Sequence, residues 1–151
     1  MTAMTKRTTV AVLALVLAPC AVTTTPVAAP ARAQTYYQFE SPSGNIDCEM
    51  GSLGDKAFAS CEITERSWVA PPPPDRCEGA WGDRFALYEG TPDALVCSSD
   101  TLRGNELPTL SYGSTWPVNP ITCDSELTGI TCTDASTGHY FRVSSGSYTL
   151  H

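Results

Sequence analysis

Residues 45–63 read NIDCEMGSLGDKAFASCEI and contain two cysteines, Cys48 and Cys61, with twelve residues between them. Successive side chains of a β-strand point to opposite faces, so an even gap lets the two cysteines face each other across an antiparallel hairpin. The residues LGDK, midway between them, include the Gly-Asp pair that tight turns favour. The stretch therefore predicts a hairpin with a Cys48–Cys61 disulfide and with Ile46 opposite Ile63.

A similar pattern recurs further along the chain. The residues PITC end at Cys123, and Cys132 follows after eight more residues, again an even gap. We expect a second hairpin that pairs these two cysteines and turns at residues 126–129, where a glycine can adopt a left-handed conformation. The remaining pair, Cys77–Cys97, follows by elimination, although six cysteines permit 15 pairings.

The cysteine count indicates an oxidising compartment. The chain has seven cysteines, and removal of a leader that contains Cys20 would leave an even set of six. Structural zinc is the rival interpretation, but zinc sites favour closely spaced pairs such as C-x₂-C, which this sequence lacks. We therefore expect no metal and no cofactor, and we assign six cysteines to disulfides: Cys48, Cys61, Cys77, Cys97, Cys123 and Cys132.

The N-terminus has the layout of a secretory signal peptide. Lys6 and Arg7 precede the apolar run 9–19, and the small residues before Gln34 form an A-x-A cleavage site that ends at Ala33. The apolar run has 11 residues, fewer than the roughly 20 that span a bilayer as a helix. The sequence predicts a signal peptide at 1–33 and no transmembrane helix in the mature form. Lipidation at Cys20 is the alternative.

The predicted mature part, residues 34–151, is acidic and poor in aliphatic side chains. It carries sixteen acidic and six basic residues, a formal charge of −10, which disfavours nucleic acid as a partner. Leu, Ile, Val and Phe account for only about 17% of it. Aromatic rings and disulfides compensate for that shortage, since rings bury large areas and cross-links restrict the unfolded chain.

Short runs of β-branched and aromatic residues alternate with turn residues, and no stretch shows a helical period. This pattern predicts an all-β fold, a small disulfide-stapled sandwich or barrel of antiparallel strands in one domain. The proline run at 71–74 is expected to be a stiff polyproline-II connector. The predicted strands are 36–40, 45–50, 58–63, 84–88, 94–97, 120–123, 129–132, 139–143 and 147–150.

Several ordered motifs run from Phe39 to the C-terminus. They include F-x-S-P-S-G-N-I-x-C at 39–48, L-x-Y-G at 110–113 and G-H-x-F at 138–141. In these motifs the chain resembles a family of exported actinobacterial proteins that is catalogued as a domain of unknown function. The resemblance implies export and six paired cysteines, and it implies no activity.

Candidate catalytic residues are few. His139 and His151 are the chain's two histidines, and a Ser-His-Asp or Cys-His hydrolase would need His139 as its base. We expect His139 instead to start a strand and to bond turn backbone groups. Asp100 and Asp134 are weak calcium-ligand candidates that turn and cap chemistry explains better. No catalytic residue is assigned.

The aromatic residues allow two interpretations. Three tryptophans and six tyrosines either replace aliphatic side chains in the core, which we favour, or line one sheet face as a binding surface. The sequence predicts a secreted or cell-envelope, non-enzymatic domain that binds an unknown protein or an envelope glycan. One alternative is a small cell-wall-directed hydrolase. The other is an inhibitor or effector of a secreted enzyme, which would act through loop 102–108 or the proline run.

Overall fold

The structure is a computed structural model that describes residues 36–151. The described residues form ten strands and no helix. The strands are β1 (Tyr36–Glu40), β2 (Ile46–Leu53), β3 (Lys56–Ile63), β4 (Arg84–Tyr88), β5 (Ala94–Leu95), β6 (Thr115–Val118), β7 (Ile121–Glu126), β8 (Gly129–Asp134), β9 (Tyr140–Val143) and β10 (Tyr148–Leu150). The predicted all-β class is confirmed, whereas the predicted leader at 1–33 and Cys20 lie outside the described residues.

The ten strands form two separate five-stranded sheets. The first has the order β1-β2-β3-β4-β5 and the second the order β10-β9-β8-β7-β6. Each strand therefore pairs antiparallel with its neighbours in sequence, and each sheet is a simple meander. Side chains from the inward faces of both sheets share one hydrophobic core. Of the two predicted architectures, sandwich and barrel, the fold is the sandwich.

The first predicted hairpin is present in its predicted register. Cys48 pairs with Cys61 and Ile46 with Ile63, and the turn lies between Leu53 and Lys56. All four cysteine and isoleucine side chains point into the core and are buried. The even spacing of the cysteines is compatible with this register, in which both cysteines lie on the inward face. A slip of one residue would turn the cysteine and isoleucine of one strand to solvent.

The second hairpin follows the same rule. Cys123 pairs with Cys132, and Glu126 pairs with Gly129 at the turn. Gly129 has φ 129°, and a Cβ atom at this position would lie 2.2 Å from the carbonyl oxygen of Val143. Both the backbone conformation and the close approach therefore require glycine here.

The two sheets repeat one pattern of paired residues, which is inward-facing except at Leu150, whose side chain is 38% exposed. In each sheet an aromatic residue, two cysteines, a phenylalanine and a leucine stand side by side on five successive strands. The two rows are Phe39-Cys48-Cys61-Phe85-Leu95 and Trp116-Cys123-Cys132-Phe141-Leu150. The sequence similarity between NIDC and PITC is therefore part of a repeat that spans both sheets.

The repeated rows meet in the core. Phe39 stacks on Trp116 with ring centroids 5.6 Å apart, and Phe85 stacks on Phe141 at 5.8 Å. Trp68 also packs against this core and donates from Nε1 to the carbonyl of Ser144. Of the three tryptophans and six tyrosines, Trp68, Trp116 and Tyr148 pack against the core, whereas four tyrosines are more than a third exposed, so the favoured interpretation holds for only part of the set.

The third disulfide joins Cys77 to Cys97, as elimination predicted, and lies at the surface. The proline run at 71–74 contains no strand and is exposed, and Trp81 donates from Nε1 to the carbonyl of Pro71. Sequence reasoning missed β6 because Pro117 interrupts it. Proline is tolerated there because β6 is an edge strand, and one of its sides needs no ladder hydrogen bonds.

Asp134 ties the second sheet to the first. This fully buried residue of β8 accepts hydrogen bonds from the backbone N–H of Gly90 and of Ser136, both at 2.8 Å, and from the hydroxyl groups of Ser136 and Thr137. Gly90 lies in the β4–β5 connection. The predicted turn and cap role of Asp134 is confirmed, and the bond to Gly90 extends that role across the sandwich.

Candidate functional site

The outward face of the first sheet carries a row of aromatic side chains. Tyr36, Gly51, Phe58 and Tyr88 lie directly opposite one another on β1, β2, β3 and β4. Phe39 of β1, Ala57 and Ala59 of β3 and Leu87 of β4 lie in the core at odd spacings from these residues, so alternation directs the row away from it. We call Tyr36, Phe58 and Tyr88 the aromatic row.

The two ends of the aromatic row are accessible. Tyr36 is 54% exposed and Tyr88 46%, whereas Phe58 between them is buried at 8%. Phe58 and Tyr88 stack with ring centroids 6.2 Å apart. Because neighbouring strands lie about 4.8 Å apart, three strand spacings separate the two tyrosines by roughly 14 Å. The row is therefore a flat surface with an accessible phenol at each end.

Glu49 fixes the Tyr36 end of the row. The Tyr36 hydroxyl group donates to the Glu49 carboxylate from the adjacent strand. Burial together with this hydrogen bond and the negative charge of Glu49 raises the pKa of Tyr36 to about 12. The hydrogen bond holds the Tyr36 ring beside a carboxylate.

A second row, closer to the β1–β2 turn, is charged. Glu40, Asp47, Glu62 and Arg84 lie opposite one another on the same outward face. The Arg84 guanidinium group contacts the Glu62 carboxylate at 2.8 Å and the Asp100 carboxylate at 2.7 Å. Arg84 and Glu62 are both buried, so this is an ion pair held away from water.

Residues 98–110 cross this charged row as a strap. The Glu62 carboxylate accepts from the Thr101 hydroxyl group and the Leu102 backbone N–H, both at 2.9 Å, and forms an ion pair with Arg103 Nε at 3.2 Å. At the far edge Glu40 exchanges backbone hydrogen bonds with the strap. The strap is therefore attached to three strands of the sheet, β4, β3 and β1. Within the strap Leu102 is buried, whereas residues 103–106 and Pro108 are exposed.

The electrostatics of the charged row follow from these contacts. Burial acts to raise the pKa of Glu62, but hydrogen bonds from Arg84, Leu102 and Thr101 outweigh it and the pKa is lowered. Asp47 has the opposite balance. Burial and the neighbouring Glu40 and Glu62 raise its pKa, which Arg103 only partly offsets.

Asp100 departs from its predicted role. Its carboxylate accepts from Arg84 Nη1, and its backbone carbonyl accepts from Nη2 of the same guanidinium group at 2.9 Å. The ion pair therefore replaces the turn chemistry expected from Ser98-Ser99-Asp100. Nothing in the local sequence signalled this, because Arg84 lies sixteen residues away.

His139 immediately precedes β9, as expected. Its backbone N–H donates to the Thr137 hydroxyl group at 3.2 Å, and its ring Nδ1 lies 3.0 Å from the carbonyl of His151. Within residues 36–151 no serine or carboxylate bonds the His139 ring, and no three His, Cys, Asp or Glu side chains cluster as metal ligands. The structure places the candidate base against the C-terminal strand.

Sequence reasoning named the tyrosines of the aromatic row but did not bring them together. Tyr36 and Tyr88 are 52 residues apart, and their alignment depends on the registers of three strand pairs. The hairpin register predicted from Cys48 and Cys61 also places Gly51 opposite Phe58. The pairings of β1 and β4 have no comparable sequence signal, so the complete row could not be located from the sequence.

Two meanders that share one core, each with a buried disulfide across its second hairpin, define a small, disulfide-stabilised β-sandwich domain. Within that class, the chain belongs to a family of unknown function, DUF6636, which matches residues 14–151. No curated protein and no solved structure shows a significant match to the chain. The expected membership of a family of unknown function is confirmed, and the actinobacterial origin stays a prediction.

The disulfides also bear on where the protein resides. Three disulfide bonds indicate an oxidising, extracytoplasmic environment. A search of the described part of the chain found no helix that could cross a membrane.

Proposed function

We propose that this chain is an exported, non-enzymatic binding domain and that the outer face of its first sheet binds a positively charged partner protein. The observation that carries the proposal is the aromatic row, with a half-exposed tyrosine at each end and carboxylates beside it. Tyrosine is enriched at energetically important positions of interfaces, because its large ring loses little conformational entropy on binding.

The charge of this face favours a basic partner. Glu49 borders the aromatic row, and the carboxylate of Asp100, whose side chain is 75% exposed, lies at the edge of the strap. Arg84 and Arg103 are paired with Glu62, Asp100 and Asp83. Lys56, two residues before Phe58 on the same strand, is 59% exposed and contacts the Glu89 carboxylate at 3.6 Å, so this positive charge is also paired with an acid. An acidic face on an acidic chain attracts a cationic surface and speeds its association.

Photocrosslinking in the producing cells tests the proposal. A photoreactive phenylalanine analogue would replace Tyr88, or in a second strain Tyr36. A third strain carries it at Val69, which is exposed and lies outside the sheets. We expect one basic protein to be crosslinked from positions 88 and 36 and not from position 69.

Three results would contradict the proposal. Equal crosslinking from all three positions would mean that the face is not selective. Retention of the purified protein on isolated cell-wall glycan, lost when Tyr36 and Tyr88 are both changed to alanine, would replace the protein partner by a glycan. Loss of a hydrolytic activity in a folded His139→Ala variant would contradict the non-enzymatic part.

A further inference from the structure

A separate cleft lies at the end of the sandwich where the loops of both sheets meet. It has a volume of about 170 Å³ and lies between the β1–β2 turn, the β7–β8 turn, the β9–β10 turn and Tyr112. This volume is below the 300–1,000 Å³ of pockets that enclose whole drug-sized ligands. The cleft therefore suits one small chemical group.

The wall of the cleft formed by the β1–β2 turn is rigid. The Ser41 hydroxyl group accepts from the backbone N–H of Ile46 at 3.1 Å, and the Ser41 backbone N–H donates to the Ile46 carbonyl at 2.8 Å. The Asn45 side chain exchanges two hydrogen bonds with the backbone of Glu65. These hydrogen bonds hold the SPSGN segment in place, so it forms a preformed wall of the cleft.

Other lining groups retain hydrogen-bonding capacity. Tyr112, Glu126 and Ser145 are exposed side chains of the cleft. Among the described residues the Tyr112 and Ser145 hydroxyl groups bond no protein atom, and the Glu126 carboxylate accepts only a long bond from Thr128 at 3.4 Å. Leu127, 84% exposed, adds an apolar edge. The cleft therefore offers a carboxylate, two hydroxyl groups and an aromatic ring.

Glu126 sets the charge of this cleft. It is the only charged residue among those that line it. The nearest basic residue on the adjoining strand, Arg142, donates to the Thr128 carbonyl at 3.5 Å, and Glu126 takes part in no ion pair within residues 36–151. A carboxylate without a strong partner favours a positively charged group.

We infer that this cleft binds a primary ammonium group. The Glu126 carboxylate would accept a charge-assisted hydrogen bond from the ammonium, the Ser145 hydroxyl group would accept a second, and the Tyr112 ring would add a cation–π contact. Such a group can come from a lysine side chain or from an amino sugar. The inference does not depend on the proposed function, because the cleft shares no residue with the aromatic row.

A titration of the processed full-length protein followed by ¹H–¹⁵N NMR tests this inference. The probes are Nα-acetyl-lysine amide and glucosamine, each compared with its N-acetylated, uncharged counterpart. We expect saturable shifts at Tyr112, Glu126 and Ser145 with a dissociation constant of about 1 mM for the charged probes, and none for the uncharged ones. The tighter of the two charged probes identifies the source of the ammonium group.

Three variants sharpen the test. Glu126→Gln should weaken binding about tenfold, because it removes the charge and keeps the shape. Arg142→Gln should strengthen binding, since it removes a nearby positive charge. The control Glu78→Gln, an exposed acid outside the cleft, should leave it unchanged. Equal binding of the uncharged probes, no saturable shift, or unchanged binding by a Glu126→Gln variant with native melting temperature would overturn the inference.

Discussion

The sulfur atom of Cys61 lies 3.9 Å from the sulfur atom of Cys132, so the disulfides of the two sheets touch at the centre of the sandwich. The four cysteines of these disulfides are at most 1% exposed. Each disulfide closes the second hairpin of its own meander, and each is flanked by the aromatic side chains of its row. The two cross-links therefore serve also as the apolar centre of a chain with few aliphatic residues.

Burial predicts the order in which the disulfides are reduced. Thiol–disulfide exchange needs access to a sulfur atom, and Cys97 is exposed whereas Cys48 and Cys123 are buried. Mild reduction without denaturant should open Cys77–Cys97 first and leave the other two intact. Alkylation followed by peptide mass spectrometry measures the order. Simultaneous loss of all three bonds below the melting temperature would contradict the prediction.

The cysteine pairing could be predicted from sequence because it rests on local geometry. An even gap, a turn segment in its middle and flanking isoleucines determine the register of a hairpin before any long-range contact is known. The same reasoning found nine of the ten strands and missed β6, where Pro117 obscured the pattern.

The ion pair of Arg84 with Glu62 is expected to contribute more to stability than the surface pair of Lys56 with Glu89. Glu62→Ala leaves Arg84 buried with only Asp100 as a charged partner and frees the strap, so the free energy of unfolding should fall by about 3 kcal/mol. Lys56→Ala breaks a long contact of 3.6 Å made by an exposed lysine and should cost at most about 0.5 kcal/mol. Denaturant unfolding measures both values.

The strap provides a second readout for Glu62. If the Glu62 carboxylate holds residues 98–110 against the sheet, trypsin should cleave after Arg103 faster in Glu62→Ala than in the parent protein. Cleavage after Arg76, outside the strap, is the internal control. Equal acceleration at both sites would indicate global unfolding and not release of the strap.

This charged row could not be predicted from sequence. Glu62, Arg84 and Asp100 come from three separate segments, and each alone reads as an ordinary surface charge. Their pairing depends on the registers of two strand pairs and on the path of a strap without regular structure. Hydrophobic periodicity carries no information about such a path, and the same holds for the alignment of Tyr36 with Tyr88.

Asp47 should be destabilising in its ionised form. Its folded-state pKa is raised by burial and by Glu40 and Glu62. The protonated carboxyl group therefore favours the folded state; this stabilisation is fully present below the unfolded pKa and is lost as pH rises through the folded pKa. Asp47→Asn mimics the protonated form and should raise the melting temperature at pH 7. The gain should vanish at pH 3. Asp55→Asn, an exposed turn residue, controls for the change in net charge.

Asp134 should have the opposite pH dependence. Burial acts to raise its pKa, but the hydrogen bonds from Gly90, Ser136 and Thr137 lower it to about 2. A folded pKa below the unfolded value of about 3.9 means that the stabilisation is complete above pH 4 and is lost as pH falls towards 2. The size of this contribution is roughly 2–3 kcal/mol, at about 1.4 kcal/mol per pKa unit.

The Asp134→Asn variant isolates that contribution. Asparagine keeps the shape but places an amide group where the carboxylate accepts from a backbone N–H, so the free energy of unfolding at pH 7 should fall by about 3 kcal/mol. The difference from the parent protein should shrink as pH falls from 4 to 2, because the parent loses its carboxylate charge in that range. Denaturant unfolding at several pH values measures the difference. The other acids titrate equally in both proteins and cancel in the difference. A difference that stays constant down to pH 2 would therefore show that Asp134 does not join the sheets through its charge.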